Sequence, residues 1–270
     1  MIIFPNAKIN LGLSVLRKRP DGYHQIETVF YPIALTDILE IIPSSEKETV
    51  FESRGLEIGG SIGQNTCLRA YHTMLESFKI PPVRIFLYKK IPTGAGLGGG
   101  SSDAAFTIQT LNALFNLNAT RDQLTSAAAG VGSDCPFFLE NRPMLGTGRG
   151  EHLEPVSPDL SGMHLILIKP PVSVSTADAY AGVVAVESRT SLREIIRYPV
   201  SQWQGHLVND FEESVFRKYP SIRAIKSTLL DRGAVYAAMT GSGSAVYGLF
   251  ESTPPDPALF PGCFVWTEKC

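Results

Sequence analysis

The chain has 270 residues, and 24 Lys and Arg against 26 Asp and Glu give it a net charge of −2. That balance excludes a nucleic-acid-binding protein that relies on bulk positive charge. With 44% hydrophobic and 19% charged residues, the composition predicts a folded protein with a buried core, built as one large domain or two ordinary ones. Four scattered cysteines without a C-x-x-C pair predict reduced thiols in a cytoplasmic protein, and no apolar run is long enough to predict a membrane span.

The first third of the chain has the residue pattern of strands. Alternating apolar residues, or β-branched and aromatic runs, predict strands over 7–16, 38–42 and 83–88. The polar run 44–49 is predicted to form the tip of a hairpin.

Three helices are predicted in the middle of the chain. Apolar residues at helical spacing mark 65–78, with Asn65 or Thr66 as its N-cap, and 104–115. A third helix is expected over 121–129, capped by Asn118 or Thr120.

The second half begins with a stretch rich in Pro and Gly over 141–162, which places a domain boundary near Ser157. The expected domains are therefore 1–157 and 158–270. Further strands are predicted over 163–168, 234–239 and 245–250. Strands and helices are mixed without the regular alternation of a doubly wound sheet, which favours an α+β fold with antiparallel sheets.

The strongest functional signal is the segment 92–103. Its residues are Pro92, Thr93, Gly94, Ala95, Gly96, Leu97, Gly98, Gly99, Gly100, Ser101, Ser102 and Asp103. Glycines between a strand and a helix let backbone N–H groups converge on a ligand, and the helix start adds the positive end of its dipole. The serines add hydroxyl groups, and Ser102 is a candidate magnesium ligand. The segment predicts a phosphate-binding loop, and the alternative is a flexible glycine loop without a ligand.

The residues that follow the loop exclude some classes of phosphate-binding loop. No Gly-Lys-Ser/Thr follows, so it is not a Walker A loop. Gly94, Gly96 and Gly99 formally satisfy the G-x-G-x-x-G dinucleotide fingerprint, which leaves an NAD-dependent oxidoreductase as an alternative. That fingerprint needs a second strand ending in an acid about 20 residues on, whereas the region around Asp122 is predicted to begin a helix.

Four shorter clusters each have a structural and a functional interpretation. Lys8 and Asn10 share one face of the first predicted strand, which is either solvated or directed into a site. Tyr23 and His24 follow the turn residues Asp21 and Gly22, and form either a surface hairpin or a platform for a flat base.

Two of these clusters lie later in the chain. Asp134, within Gly-Ser-Asp-Cys-Pro, is either a helix cap or a catalytic carboxylate. The run 239–244, Met-Thr-Gly-Ser-Gly-Ser, either closes a tight hairpin or presents backbone N–H groups to a ligand.

Taken in order, these motifs resemble the GHMP kinase superfamily. The strand lysine, the loop P-x-G-x-G-L-G-G-G-S-S, the G-S-D segment and T-G-S-G follow one another as they do in that superfamily. The segments P-x-A-K-I-N-L at 5–11 and D-G-Y-H at 21–24 are most similar to its 4-diphosphocytidyl-2-C-methyl-D-erythritol kinases. The resemblance implies two α+β domains with the active site in the cleft between them. It also implies transfer of the γ-phosphoryl of ATP, with Mg²⁺, to the 2-hydroxyl of the small molecule for which those kinases are named. That reaction is a step toward isoprenoid precursors.

The same resemblance implies roles for individual residues. Asp134 is expected to be the catalytic carboxylate and Lys8 its partner. The segment 92–102 is expected to hold the ATP phosphates, with Asn65 near the adenine. Acceptor contacts are expected from Asn10, Tyr23, His24, Thr176 and Tyr180.

Two other functions stay open at this point. A mevalonate-type or homoserine-type kinase is the nearest enzyme alternative. A catalytically silent nucleotide-binding protein is another, although both Asp134 and Lys8 are present. The tail after residue 250, rich in proline, matches no motif, and the oligomeric state is not predicted.

Overall fold

The computed structural model describes residues 1–186 and 190–270. Strands occupy β1 (Ile2–Ile3), β2 (Asn6–Lys18), β3 (His24–Thr36), β4 (Ile38–Pro43), β5 (Val50–Gly55), β6 (Val83–Lys89), β7 (Met144–Gly148), β8 (His152–Pro155), β9 (His164–Lys169), β10 (Tyr236–Met239), β11 (Val246–Phe250) and β12 (Phe264–Lys269). Helices occupy α1 (Thr66–Phe78), α2 (Gly99–Leu114), α3 (Arg121–Val131), α4 (Cys135–Glu140), α5 (Thr176–Tyr180), α6 (Leu192–Ile195), α7 (Phe211–Lys218) and α8 (Pro220–Asp231). No helix among the described residues has the length and apolar character needed to cross a membrane.

The described chain divides into two compact units, neither of them continuous in sequence. The first contains Met1–Lys8, Pro32–Thr93 and Gly98–Arg142. The second contains Ile9–Tyr31, Gly94–Leu97 and Pro143–Cys270. The two units alternate along the sequence, and the single domain boundary expected near Ser157 stays a prediction.

The first unit is built on a four-stranded sheet of order β1-β4-β6-β5. β4 and β6 pair antiparallel, whereas β5 and β6 pair parallel. The predicted hairpin at 44–49 is therefore wrong, because β4 and β5 lie on opposite sides of β6 rather than beside each other. Parallel pairing needs a crossover connection, and α1 supplies it between β5 and β6.

The helices of the first unit follow their capping residues. Asn65 is the N-cap of α1, and its side chain accepts a hydrogen bond from the backbone N–H of Cys67 at 2.9 Å. Thr120 caps α3 through a reciprocal capping box with Gln123, as one of the two predicted caps. Helix α2 begins at Gly99, five residues before the apolar pattern that predicted it. The prediction began too late because the first turn consists of glycines and serines, which have low helix propensity.

The second unit contains an antiparallel sheet of order β10-β11-β9-β12. The predicted strand pair around 240–244 is confirmed, since β10 and β11 pair antiparallel with Met239 opposite Val246. Strand β12, from the proline-rich tail, pairs with β9 and was missed by the sequence analysis. A further sheet of order β2-β3-β7-β8 includes two long strands, and each of these has residues in both units.

Candidate active site

The first unit brings Lys8 of β2 within reach of Asp134. The Lys8 Nζ lies 3.9 Å from Asp134 Oδ2, with the lysine side chain 4% exposed and the aspartate side chain 34% exposed. Burial lowers the pKa of Lys8, and the charge of Asp134 opposes that effect. Asp134 occupies the N-cap position of α4, but its side chain makes no capping hydrogen bond. The pair thus places a carboxylate that solvent can reach beside an almost buried cation.

Gly98, within the glycine segment, lies against the lysine of this pair. Gly98 has φ of +68°, and a Cβ built there would lie 3.2 Å from Lys8 Cε and 2.9 Å from Phe138 Cζ. Only glycine combines this left-handed conformation with so close an approach. Position 98, where the chain enters α2 beside Lys8, therefore requires glycine.

Helix α2 starts with donors directed out of its N-terminal end. Its backbone N–H of Ser102 bonds to the Gly98 carbonyl at 2.9 Å. By helix geometry, the N–H groups of Gly99, Gly100 and Ser101 have no acceptor within the helix. Unpaired N–H groups and the helix dipole together favour an anion at this end.

The Ser102 hydroxyl is the observation that bears on magnesium. Its Oγ is buried and has no hydrogen-bond partner among the described residues. An unpaired buried oxygen at the start of α2 fits a ligand to a small, hard cation. Asp103 is less suited to that role, because its Oδ2 lies 2.7 Å from the Lys89 ammonium. The described residues contain no cluster of three or more His, Cys, Asp or Glu that could hold a metal on its own.

Other glycines of the segment have a packing role in the second unit. A Cβ at Gly96 would lie 2.1 Å from the carbonyl oxygen of Thr240. The Thr240 Oγ1 lies 3.2 Å from the Gly96 carbonyl oxygen, and the Ala245 N–H donates to the Ala95 carbonyl at 3.2 Å. The loop 240–244 therefore closes a hairpin and also supports the backbone of 94–97.

Asn10 belongs to the same network in the second unit. Its Nδ2 donates to Thr28 Oγ1 at 2.8 Å, and its Oδ1 accepts from Thr240 Oγ1 at 3.2 Å. The side chain is 2% exposed. Asn10 thus links two strands to the loop 240–244. The sequence predicted only a contact with the acceptor for Asn10, and this structural role was not expected.

The aromatic cluster of Tyr23, His24 and Tyr180 contains two rings that contact each other. The His24 and Tyr180 rings stack on each other, with centroids 4.8 Å apart and an angle of 19° between their planes. Rings at that distance are in contact, so a base does not fit between them in this structure. Both residues belong to the second compact unit, whereas the expected domains separated them.

Tyr23 is the exposed member of the aromatic cluster. Its side chain is 57% exposed, and the Arg149 guanidinium lies 4.8 Å from the ring centroid. Thr176 begins the short helix α5 that carries Tyr180. A ring with a cation over one face can stack a flat ring on its other face, and the cation can attract a negative group.

Comparisons with known proteins identify the family. The profile of the GHMP kinases N terminal domain matches residues 65–141, and that of the GHMP kinases C terminal domain matches residues 192–259. The chain is 50% identical to a 4-diphosphocytidyl-2-C-methyl-D-erythritol kinase of Parabacteroides distasonis, over 98% of each chain. The chain belongs to the GHMP kinase family. This GHMP kinase is also 52% identical to the enzyme of the same name from Bacteroides fragilis, over 93% of the chain and 92% of that protein.

Solved structures agree with this assignment. The crystal structure of a 4-(cytidine 5'-diphospho)-2C-methyl-D-erythritol kinase matches with a TM-score of 0.83 and 32% identity, over 99% of this chain and 98% of that one. The mevalonate kinase of Methanococcus jannaschii matches with a TM-score of 0.70 at 16% identity, covering 99% of this chain and 97% of that one. At that identity the second likeness concerns the fold alone.

The dinucleotide alternative fails on the fold of the GHMP kinase. Over residues 99–140, all of which are described, α2 is followed by α3 and α4 rather than by a second parallel strand. The βαβ unit that presents an acidic residue to a ribose is therefore missing there.

Some residues of the site escaped the sequence analysis. Arg149 lies between Gly148 and Gly150, both with positive φ, and that pair of glycines was the available signal for an exposed turn. Phe138, packed against Gly98, had no signal beyond its hydrophobicity.

Proposed function

We propose that this GHMP kinase transfers the γ-phosphoryl of ATP to the 2-hydroxyl of 4-diphosphocytidyl-2-C-methyl-D-erythritol. The observation that carries the proposal is the Lys8–Asp134 pair, 3.9 Å apart, with Lys8 lying against Gly98, the residue before α2. Relatives that bear the enzyme's name and share about half of the residues support the choice of acceptor.

The donor half of the reaction falls to the start of α2. Phosphoryl transfer depends mainly on positioning and on neutralising charge, with little covalent participation by the protein. The free N–H groups of Gly99, Gly100 and Ser101 hold phosphate oxygens, and Asn65 lies near the adenine. Ser102 would hold Mg²⁺, which when bound neutralises charge on the phosphates.

The chemistry at the acceptor hydroxyl falls to Asp134 and Lys8. Asp134 accepts or orients the hydroxyl proton, a contribution of about 10²–10⁴-fold in comparable enzymes. Lys8 stabilises the negative charge that develops on the oxygen, and its burial strengthens this interaction because little water screens it.

Recognition of the acceptor falls to the aromatic cluster and its neighbours. Tyr23 offers an open face for the cytosine, and His24, Tyr180, Thr176 and Asn10 complete the acceptor contacts. Stacking accepts any flat base, so the preference for cytidine needs hydrogen bonds to the base edge. The four cysteines lack disulfide partners, which suits the reducing cytoplasm in which we place the enzyme.

The test is a panel of acceptors supplied with Mg-ATP. The purified chain is given cytidine-diphosphate methylerythritol, mevalonate, homoserine or galactose, and ADP release is measured. Phosphorylation of the cytidine compound alone, lost in Asp134→Asn, is the expected result. Preferential turnover of mevalonate or homoserine would overturn the assignment of the acceptor while keeping the kinase class.

A further inference from the structure

Three charged side chains other than the Lys8–Asp134 pair are buried together in the first unit. The Lys89 ammonium, at the end of β6, lies 2.5 Å from Asp37 Oδ2 and 2.7 Å from Asp103 Oδ2. All three side chains are at most 2% exposed. We call Asp37, Lys89 and Asp103 the buried triad.

The buried triad joins both ends of the glycine segment. Asp37 Oδ1 accepts the backbone N–H groups of Lys90 at 2.6 Å and Ile91 at 2.8 Å, immediately before Pro92. Asp103 is the fifth residue of α2, after the last serine of the segment. One ammonium therefore connects the strand that enters the segment to the helix that leaves it.

Gly99 shows how closely the start of α2 lies on this cluster. A Cβ at Gly99 would lie 3.0 Å from Lys89 Nζ and 2.9 Å from Ile91 Cγ2. The first helical residue thus rests on the ammonium, with no space for a side chain. This contact limits the distance between the first residue of α2 and the end of β6.

The electrostatics of the buried triad are unfavourable for a purely stabilising element. One cation faces two carboxylates, and Asp103 Oδ1 is buried with no hydrogen-bond partner among the described residues. Burial raises the pKa of Asp103, and the charge of Lys89 opposes the rise. Buried ion clusters are often no more stable than apolar residues of the same volume, so a role in geometry explains this one better.

We propose that Asp37, Lys89 and Asp103 are positioning residues, which hold the strand-to-helix segment in the shape that binds the triphosphate of ATP. The inference rests on the proposed function, because it assumes that the start of α2 holds phosphate. The buried triad fixes where the N–H groups of Gly99, Gly100 and Ser101 lie, and thereby sets the affinity for ATP. It does not touch the acceptor or the reacting atoms.

The test compares Asp103→Asn and Lys89→Met with the unmodified enzyme in steady-state kinetics. We expect the KM for ATP to rise about tenfold or more, with the KM for the acceptor and kcat within about threefold, since only donor binding is affected. Ile85→Ala is the matched control, because Ile85 is buried on the same strand and outside the buried triad. That control should lower the melting temperature without raising the KM for ATP.

A double-mutant cycle separates a joint role from two independent ones. If both residues act through one geometry, Asp103→Asn combined with Lys89→Met should raise the KM for ATP by much less than the product of the single effects. Should Lys89→Met fail to fold, the KM for ATP of Asp103→Asn decides the matter.

Two results would count against different statements. An unmodified enzyme that neither binds nor uses Mg-ATP would remove the proposed function, and this inference with it. An active unmodified enzyme whose triad variants keep the KM for ATP within about twofold, or raise it only as far as Ile85→Ala does, would overturn the positioning role alone.

Discussion

Replacing Gly100 by alanine tests whether the start of α2 binds phosphate without disturbing the fold. Gly100 is the second residue of α2, and a Cβ there would meet Thr66 Oγ1 at 3.5 Å, an ordinary van der Waals distance. Its neighbours are unsuitable for this purpose. A Cβ at Gly99 would press on Ile91 at 2.9 Å, and Gly98 has a positive φ, so substitutions there disturb packing as well as binding.

The two effects of Gly100→Ala are expected to have opposite signs. Alanine in the first helical turn should stabilise the fold by roughly 0.5 kcal/mol, which for a chain of this size raises the melting temperature by about 1–2 °C. Residue 100 also contributes one of the free N–H groups, and an added methyl group there should hinder phosphate oxygens, which approach an N–H to about 2.9 Å. We expect the Kd for Mg-ATP to rise at least about tenfold, or 1.4 kcal/mol.

Calorimetric titration with Mg-ATP and thermal melting without nucleotide measure the two effects separately. Gly130→Ala is the matched control, because Gly130 lies in α3 and a Cβ there would have nothing within 4 Å. It should raise the melting temperature and leave the Kd unchanged. A Gly100→Ala protein that melts higher but binds Mg-ATP as tightly as before would refute phosphate binding at this helix end.

Three further outcomes are expected from the site. Asp134→Asn should lower kcat by about 10²–10⁴-fold and leave the Kd for ATP within a few-fold, as stopped assays and titration would show; near-normal turnover would contradict its role. Tyr23→Ala should raise the KM for the cytidine acceptor and spare that for ATP, and an unchanged acceptor KM would mean that the base binds elsewhere. Burial raises the pKa of Asp103 above its ordinary value of 3.8. Between 3.8 and the raised pKa, the folded chain keeps a proton that the unfolded chain releases. The free energy of unfolding should therefore fall as pH rises from 3.8 through the raised pKa. Melting curves from about pH 5 to 8 should show a smaller fall for Asp103→Asn, and parallel curves would argue against the raised pKa.

Features that depend on neighbouring residues were predictable from the sequence. Asn65 caps α1 and Thr120 caps α3 as their residue types indicate, because a cap needs only the next two or three residues. The glycine and serine pattern of 92–102 likewise predicted a loop between a strand and a helix, and this loop follows β6 and leads into α2.

Features that join distant parts of the chain were not predictable. Lys89 bonds to Asp37 across 52 residues, and nothing in the local sequence of either indicates the other. The same holds for the contact between His24 and Tyr180, which lie far apart in the sequence. The hairpin at 44–49 failed for the related reason that a polar turn does not reveal which strand the next one will pair with.

The interleaving of the two units bears on synthesis of the chain at the ribosome. Ile9–Tyr31 is made well before Pro143–Cys270, which supplies most of the remainder of its unit. Leu11 and Val15, fully buried in the finished fold, must wait while more than a hundred intervening residues are made. During that interval an apolar strand is available for wrong partners, so the nascent chain is most exposed to aggregation and to chaperone binding if synthesis pauses before residue 143.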